Sequence, residues 1–229
     1  MAGLTERAAG SGQASPAAAA EAQRNWEATL LAQMDRLRAE LRRLHAGTVV
    51  ASVGGSLQDG DLVLRYWGRQ VLVSWPDLDV SWHDGRSACP PFDAAMVLYH
   101  LHASDGTPAA GSWISFRDLP GASFYHQAFS GYTGRRLAAA YGSSPADFDE
   151  AARRLGGETI RELAPSAWRF LPFERVPLGA CLWPGDDELP AQATVVFDAH
   201  AGRHLPTDGL ALLGSGLTGR LLRAAIVAT

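Results

Sequence analysis

The chain contains no lysine, and all 20 of its basic residues are arginines. These arginines are spread along the sequence, whereas a surface that binds a phosphate backbone needs clustered positive charge. The 24 acidic residues give a formal net charge of -4 and an isoelectric point near 6.0. The composition therefore argues against nucleic acid and against an anionic membrane surface as partners.

Cysteine is also scarce. Cys89 and Cys181 are the two cysteines and lie far apart in sequence, which excludes a self-contained zinc finger or iron–sulfur motif and fits a reducing compartment. No apolar run approaches the ~20 residues of a membrane span, and the N-terminus lacks the basic and then apolar order of a signal peptide. We therefore expect a cytoplasmic protein.

The apolar pattern divides the chain into three parts. Residues 1–21 are rich in Ala, Gly and Ser and are predicted to be a disordered tail. Residues 22–47 are predicted to form an amphipathic helix, and residues 48–229 one folded domain. A helical stripe running from Trp26 to Leu44 supports the helix, and its members are Leu30, Met34, Leu37, Leu41 and Leu44. Packing of this stripe on the chain's own core is favoured, with a homodimer seam as the alternative.

The domain itself is predicted to be α+β, with a mostly antiparallel sheet and helices packed on it. Alternating apolar residues indicate strands in Thr48–Trp82, with a hairpin turn at Gly68 and Arg69. Two prolines open a helix that ends near Ala103. Further strands are predicted at Trp113–Phe116, Trp168–Phe173, Val176–Trp183 and Ala193–Asp198, and further helices at Ser123–Phe129, Thr133–Tyr141, Asp147–Leu155 and Leu210–Val227.

Four motifs resemble a known family. They are GSWISFRDLPG at 111–121, RRLAAAYG at 135–142, RVPLGACLWPGDDELPAQATVVFD at 175–198 and HLPTDGLALLG at 204–214. In this order they resemble the bacterial domain of unknown function 3786, over roughly residues 45 to 225. The resemblance implies an anaerobic setting, in which related chains carry an iron–sulfur module or accompany corrinoid methyl-transfer systems. The chain lacks the cysteines of such a module, so an iron–sulfur or corrinoid role would require a partner protein.

One candidate site lies in the stretch 111–141. Arg117 follows a predicted strand, and its guanidinium could clamp a carboxylate or phosphate. Tyr125 and His126 begin the aromatic helix beyond the next turn and could donate or relay protons. The competing interpretation is that Arg117 pairs with Asp118 and that Tyr125 belongs to the core.

A second candidate site lies at 198–204. Asp198 ends an apolar strand, and His200 and His204 follow it. One carboxylate and two histidines could form an acid/base group or a facial metal triad, although capping and loop hydrogen bonds explain such residues as well. The pair His100 and His102 is a poorer ligand set, because residues two apart on a helix point in different directions.

Two further patterns are weaker. The run Gly214–Gly219 matches G-x-G-x-x-G but lacks the following strand and acid of a dinucleotide site, so its glycines are interpreted as allowing close packing or a helix break. Cys89 precedes a helix N-terminus with His83 upstream, which makes a Cys–His nucleophile conceivable and an inert thiol the simpler interpretation.

These patterns predict a small-molecule or cofactor pocket where the Arg117 turn meets the 198–204 segment, in an accessory protein of anaerobic metabolism. One alternative is an enzyme in which His200 or His204 acts as acid/base, with Asp198 beside it and Arg117 as an anion clamp. Another is a scaffold that dimerises through the Trp26–Leu44 helix. No complete catalytic or metal-binding motif is present, and no cofactor is indicated.

Overall fold

The computed structural model describes residues 21, 24, 25, 28–85 and 87–226. The predicted tail lies almost entirely outside these residues, as does Trp26. The described chain is a single α+β domain with two antiparallel sheets. Its α-helices are α1 Met34–Leu41, α2 Ala46–Val53, α3 Pro91–Ala103, α4 His126–Tyr132, α5 Gly134–Tyr141, α6 Pro145–Arg154 and α7 Thr207–Ile226.

The first sheet is a meander of four strands in the order β1-β2-β3-β4. Its strands are β1 Ser56–Gln58, β2 Asp61–Tyr66, β3 Arg69–Val73 and β4 Val80–Trp82. The second sheet has the order β5-β9-β8-β7-β6. Its strands are β5 Trp113–Ser115, β6 Glu158–Thr159, β7 Ser166–Phe173, β8 Val176–Trp183 and β9 Gln192–Asp198. The predicted fold class is confirmed, with the strands divided between two sheets.

The strand prediction for the segment after the leucine stripe is wrong. Residues 48–53 were expected to form a strand because they are rich in valine, but they lie in helix α2. The Nδ1 atom of His45 accepts a hydrogen bond from the N–H of Gly47 and caps the helix start, and Gly54 ends the helix with a left-handed φ of 73°. The two caps and burial of three valines outweigh the strand preference of β-branched residues.

The leucine stripe packs inside the molecule at most of its positions. Leu30, Leu37 and Leu41 are buried in the core, whereas Leu44 is 46% exposed. Residues 28–32 are helical, Gln33 forms a turn and α1 follows, so the predicted long helix is divided. The dimer seam stays a prediction, and the buried leucines leave it little apolar surface.

The hairpin between β2 and β3 turns at Trp67 and Gly68, one residue before the predicted position. Both have left-handed backbones, with φ of 49° and 78°, as expected for a two-residue turn between twisted strands. The N–H of Trp67 donates to the carbonyl of Pro172 in β7 at 2.9 Å. The tip of the first sheet is thereby attached to the second.

Helix α5 lies directly on strand β9, and two glycines make this possible. A Cβ atom at Gly134 would lie 2.1 Å from the carbonyl oxygen of Ala193, and one at Gly142 would lie 2.3 Å from the Cβ of Ala191. Both distances are far below van der Waals contact. The start of α5 therefore approaches the backbone of β9, and its end packs against the side chain of Ala191 just before the strand.

Helix α7 runs without a break through its glycines, contrary to one of the two interpretations of Gly214–Gly219. Gly214 supports the other interpretation, because a Cβ there would lie 2.7 Å from the Cζ of Phe129. The helix packs its apolar face on the common core of both sheets. None of the described helices is both long and apolar enough to cross a membrane.

Candidate functional site

Asp198 lies at the end of β9, where it organises the backbone of a neighbouring loop. Its Oδ1 atom accepts from the N–H groups of Ala110 and His200, both at 2.9 Å, and Oδ2 accepts from the N–H of Gly111 at 2.8 Å. The side chain is buried. These three bonds explain why a carboxylate is buried here, since it holds the loop at Ala110 and Gly111 against the end of β9.

His100 and His204 form a buried pair. Their ring centroids are 6.0 Å apart, and His100 also stacks on Phe173 at 4.0 Å. The hydroxyl of Ser104 donates to the carbonyl of Ser52 at 2.8 Å, so its oxygen accepts the Nδ1–H of His204, also at 2.8 Å. The Nδ1–H of His100 points to the carbonyl of His204 at 3.3 Å.

Burial keeps both rings neutral. It lowers the pKa of His100 to about 3, and it is also the main cause that lowers the pKa of His204. The Nε2 atoms of both rings are buried without a hydrogen-bond partner among the described residues. No group of three or more His, Cys, Asp or Glu side chains within the described part of the chain is placed to hold a metal ion. The pair therefore offers two lone pairs and lacks a third ligand there.

Acidification is expected to destabilise the fold through this pair. The unfolded histidines take up protons below a pKa near 6.5, whereas the pKa values of the buried rings are lower, so these rings take up protons only at lower pH. This contribution to stability is thus complete above about pH 6.5 and is lost as the pH falls toward the folded pKa. For His100 alone, the free energy of unfolding should fall by up to ~1.4 kcal/mol per pH unit. Urea denaturation between about pH 7 and about pH 5.5 measures how the free energy of unfolding depends on pH. This interval lies above the pH range in which most carboxylates titrate.

The matched variants for this experiment are His100→Gln and His126→Gln. His126 is partly exposed, and its Nδ1 atom lies 2.7 Å from the carbonyl of Ser123. We expect His100→Gln to flatten the slope and His126→Gln to keep it. Equal slopes in the two variants would show that His100 is not the group that resists protonation.

Arg117 and Asp198 lie toward opposite ends of the ladder between β5 and β9. Strand β5 pairs with β9 so that Trp113 faces Asp198 and Ser115 faces Val196. Arg117 lies beyond the latter end of the ladder and is exposed. The turn after Arg117 contacts the start of α7, where the Thr207 hydroxyl donates to the carbonyl of Pro120 at 2.6 Å.

The first part of the 111–141 stretch exposes Arg117, Asp118 and Tyr125. Asp118 accepts from the N–H and the hydroxyl of Ser115, at 3.0 and 2.7 Å, and so closes a short 3-10 helix around Arg117. Tyr125 is 50% exposed, and His126 opens α4. His200 is exposed, with its Nδ1 atom 2.9 Å from the carbonyl of Pro108. Of the six candidates, Asp198 and His204 are buried, His126 is partly exposed, and Arg117, Tyr125 and His200 are exposed.

Two other interpretations can be compared with the geometry. His102 lies 2.7 Å from Glu40, whereas His100 is buried, so the two rings diverge as the helical spacing indicated. Burial raises the pKa of the Cys89 thiol to about 11, and His83 contacts Gln58 at 3.2 Å. An inert Cys89 is the interpretation that fits.

A groove between α3, α5 and α7 gathers three guanidinium groups. Its volume is about 530 Å³, and the arginines that line it are Arg136, Arg220 and Arg223. Asp93 is the one acid among its lining residues, and the ion pairs of the described residues include one between Arg220 and Asp93 at 3.8 Å. The first turn of α3 lies at the groove and adds the positive end of a helix dipole. The groove thus has a surplus of positive charge.

Glycines in α7 form the floor of this groove. A Cβ at Gly216 would lie 3.3 Å from Nη1 of Arg220, and one at Gly219 would lie 3.3 Å from Nη1 of Arg223. Each guanidinium therefore folds back over the glycine one helical turn before it. The pattern Gly-x-x-x-Arg, repeated at 216/220 and 219/223, explains the glycine run that resembled a nucleotide fingerprint.

Two lining residues of the groove, Asp93 and Arg220, also belong to an aromatic and ionic cluster with Tyr66 and Trp67. Arg220 lies over the ring of Trp67 at 4.2 Å, and the Tyr66 hydroxyl donates to Asp93 at 2.9 Å. Burial lowers the pKa of Arg220, and the charge of Arg223 adds to that effect while Tyr66 and Asp93 oppose it. Two positive charges are thereby held close together, an arrangement that a bound anion stabilises.

The family of the chain is shown by its sequence over most of its length. The model of a domain of unknown function, DUF3786, matches residues 46–220. The chain belongs to the DUF3786 family. No curated protein and no solved structure matches it. The DUF3786 domain covers α2, both sheets and α7 as far as Arg220, so most of the arginine groove lies within the family's own boundaries.

Proposed function

We propose that this DUF3786 domain binds a small anionic molecule, a carboxylate or a phosphate, in the groove between α3, α5 and α7. The convergence of Arg136, Arg220 and Arg223 on one cavity of about 530 Å³ carries the proposal. Guanidinium groups match both anions with paired hydrogen bonds. Phe92, Leu212 and Leu222 also line the groove and give an apolar part of the ligand a surface to contact.

Within this proposal the domain is an accessory, ligand-binding protein of the bacterial cytoplasm. Its two free cysteines, both buried, suit a reducing compartment. The family resemblance suggests a corrinoid or iron–sulfur protein as the kind of partner that would use the ligand. The groove, in place of the Arg117 turn and the 198–204 segment, is where the ligand is expected.

Pyrophosphate and citrate are suitable probes, because the first is a compact phosphate and the second a compact carboxylate. Either should raise the melting temperature of the parent protein with a saturable dependence on concentration. Added sodium chloride should weaken the effect, since exposed guanidinium groups are screened by salt. Isothermal titration calorimetry then gives the dissociation constant for the stronger probe.

The decisive comparison is between Arg223→Met and Arg135→Met. Both residues are exposed, but Arg223 lines the groove and Arg135, next to Arg136 on α5, is not among its lining residues. Loss of a charged hydrogen bond should weaken binding about tenfold or more in Arg223→Met, whereas Arg135→Met should bind as the parent does. Equal affinities in the two variants, or no saturable binding of either probe, would refute the proposal.

A further inference from the structure

One polar side chain that lines the arginine groove is left without a partner by the described residues. Ser215 of α7 is among the lining residues and is only 6% exposed. Its hydroxyl forms no hydrogen bond with them, whereas the Thr218 hydroxyl on the same helix donates to the carbonyl of Gly214 at 3.0 Å. The Oγ atom of Ser215 keeps accessible surface, in contrast to enclosed atoms such as Nε2 of His100. A ligand in the groove can therefore reach this donor.

The two arginines of α7 hold their guanidinium groups close to this hydroxyl. Nη1 of Arg220 lies over Gly216, the residue after Ser215, and Nη1 of Arg223 lies over Gly219. With a rise of about 1.5 Å per residue, positions 216 and 219 are only ~4.5 Å apart along the helix axis. The three donor groups thus lie within about one turn of a single helix surface, where one compact anion with several oxygens can accept from all of them.

The number of donors and the net charge favour a phosphate monoester over a single carboxylate. Arg136 and Arg223 form no ion pair with the described residues, so each can present two N–H groups to one anion, and Ser215 adds a fifth donor. A carboxylate offers two oxygens with about four acceptor sites, whereas a phosphate monoester offers three terminal oxygens and a charge of about -1.5 to -2. Three arginines against Asp93 leave a surplus of two positive charges in the groove, which matches that charge.

We infer that the ligand of the arginine groove is a phosphate monoester with an apolar ring or chain, and that the Ser215 hydroxyl donates to one of its phosphate oxygens. The phosphate lies between Ser215 and the guanidinium groups of Arg136 and Arg223. The apolar part contacts Phe92 and Leu222, which also line the groove. The inference rests on the proposed anion site and narrows its ligand from two anion classes to one.

Phenyl phosphate tests the inference against phthalate and inorganic phosphate. Phthalate has a similar ring and charge but carries carboxylates, and inorganic phosphate lacks the ring. In titration calorimetry of the full chain near neutral pH, phenyl phosphate should bind saturably and about tenfold more tightly than either of the other two. Equal affinity for phthalate, or for inorganic phosphate, would overturn the inference.

Ser215→Ala and Thr218→Val are the matched variants. Each removes one hydroxyl from α7, and of the two residues only Ser215 lines the groove. Ser215→Ala should weaken phenyl phosphate binding about tenfold or more, as expected for the loss of a hydrogen bond to a charged group, and Thr218→Val should bind as the parent does. Parent-like affinity in Ser215→Ala would contradict the role given to its hydroxyl.

The results separate this inference from the proposed anion site. If pyrophosphate or citrate binds and Arg223→Met weakens that binding, the anion site stands, and the phenyl phosphate comparisons decide the ligand class by themselves. If phenyl phosphate, pyrophosphate and citrate all fail to bind saturably, the anion site and the inference are both refuted.

Discussion

Replacing Gly134 with alanine is expected to lower the free energy of unfolding by about 3 kcal/mol or more. The new methyl carbon would lie 2.1 Å from the carbonyl oxygen of Ala193, which belongs to backbone and not to a flexible side chain. Strand β9 is paired on both sides, with β5 and β8, so it cannot move away without breaking a ladder. Thermal unfolding should show a decrease of roughly 6–12 °C for a chain of this size.

Gly216→Ala is the matched control, because it makes the same substitution within a helix. A Cβ there would lie 3.3 Å from the terminal Nη1 of the Arg220 side chain and 3.9 Å from the ring of Trp67, and it meets no backbone atom of another segment. Alanine is the better helix former by about 1 kcal/mol, so this variant should be as stable as the parent or more stable. If the Gly134→Ala protein had the same melting temperature as the Gly216→Ala protein, α5 would not approach β9 to backbone distance.

The substitution Asp198→Asn is expected to cost about 2–3 kcal/mol of stability. The amide oxygen can still accept from Ala110 and His200, but the amide nitrogen faces the N–H of Gly111, with which it cannot bond. A hydrogen bond to a charged group contributes about 1.5–3 kcal/mol, and the N–H of Gly111 would be left facing an amide nitrogen. Urea denaturation at neutral pH measures the difference.

Asp186→Asn is the comparison for this carboxylate. Oδ1 of Asp186 also accepts two backbone N–H groups, from Glu188 at 2.9 Å and from Leu189 at 2.7 Å, but in an exposed turn. Water can replace those bonds, so the cost should stay below about 1 kcal/mol. If Asp198→Asn were as stable as the parent, Asp198 would no longer be explained by the loop and would return as a candidate for chemistry.

Much of the fold follows from local sequence patterns. Four strands of the second sheet, β5, β7, β8 and β9, and the helix after Pro90 lie where alternation and proline place them, since these signals depend on neighbouring residues. The two-residue strand β6 was not predicted. The strand prediction for the valine run at 48–53 was wrong, because the strand preference of valine stabilises less than two helix caps and burial against the core. Division of the strands into two sheets depends on contacts between distant segments, which no local pattern contains.

The candidate site was harder to predict because its parts are distant in sequence. Arg136, Arg220 and Asp93 come from three helices, and their convergence is a property of packing. Asp198 was singled out from the sequence as a candidate site residue at a strand end, but its partners Ala110 and Gly111 could not be read from the sequence. One signal was present: the repeat Gly-x-x-x-Arg in α7 places a guanidinium over each glycine.

The left-handed backbone of Trp67 connects the order of folding to the docking of the two sheets. A non-glycine residue in that conformation costs about 1–2 kcal/mol, so the β2–β3 hairpin carries a penalty while it is isolated. The penalty is offset once the Trp67 N–H reaches Pro172 and the ring meets Arg220. The turn should therefore form late, in the same cooperative step in which β7 and α7 assemble, and the two sheets should unfold as one unit.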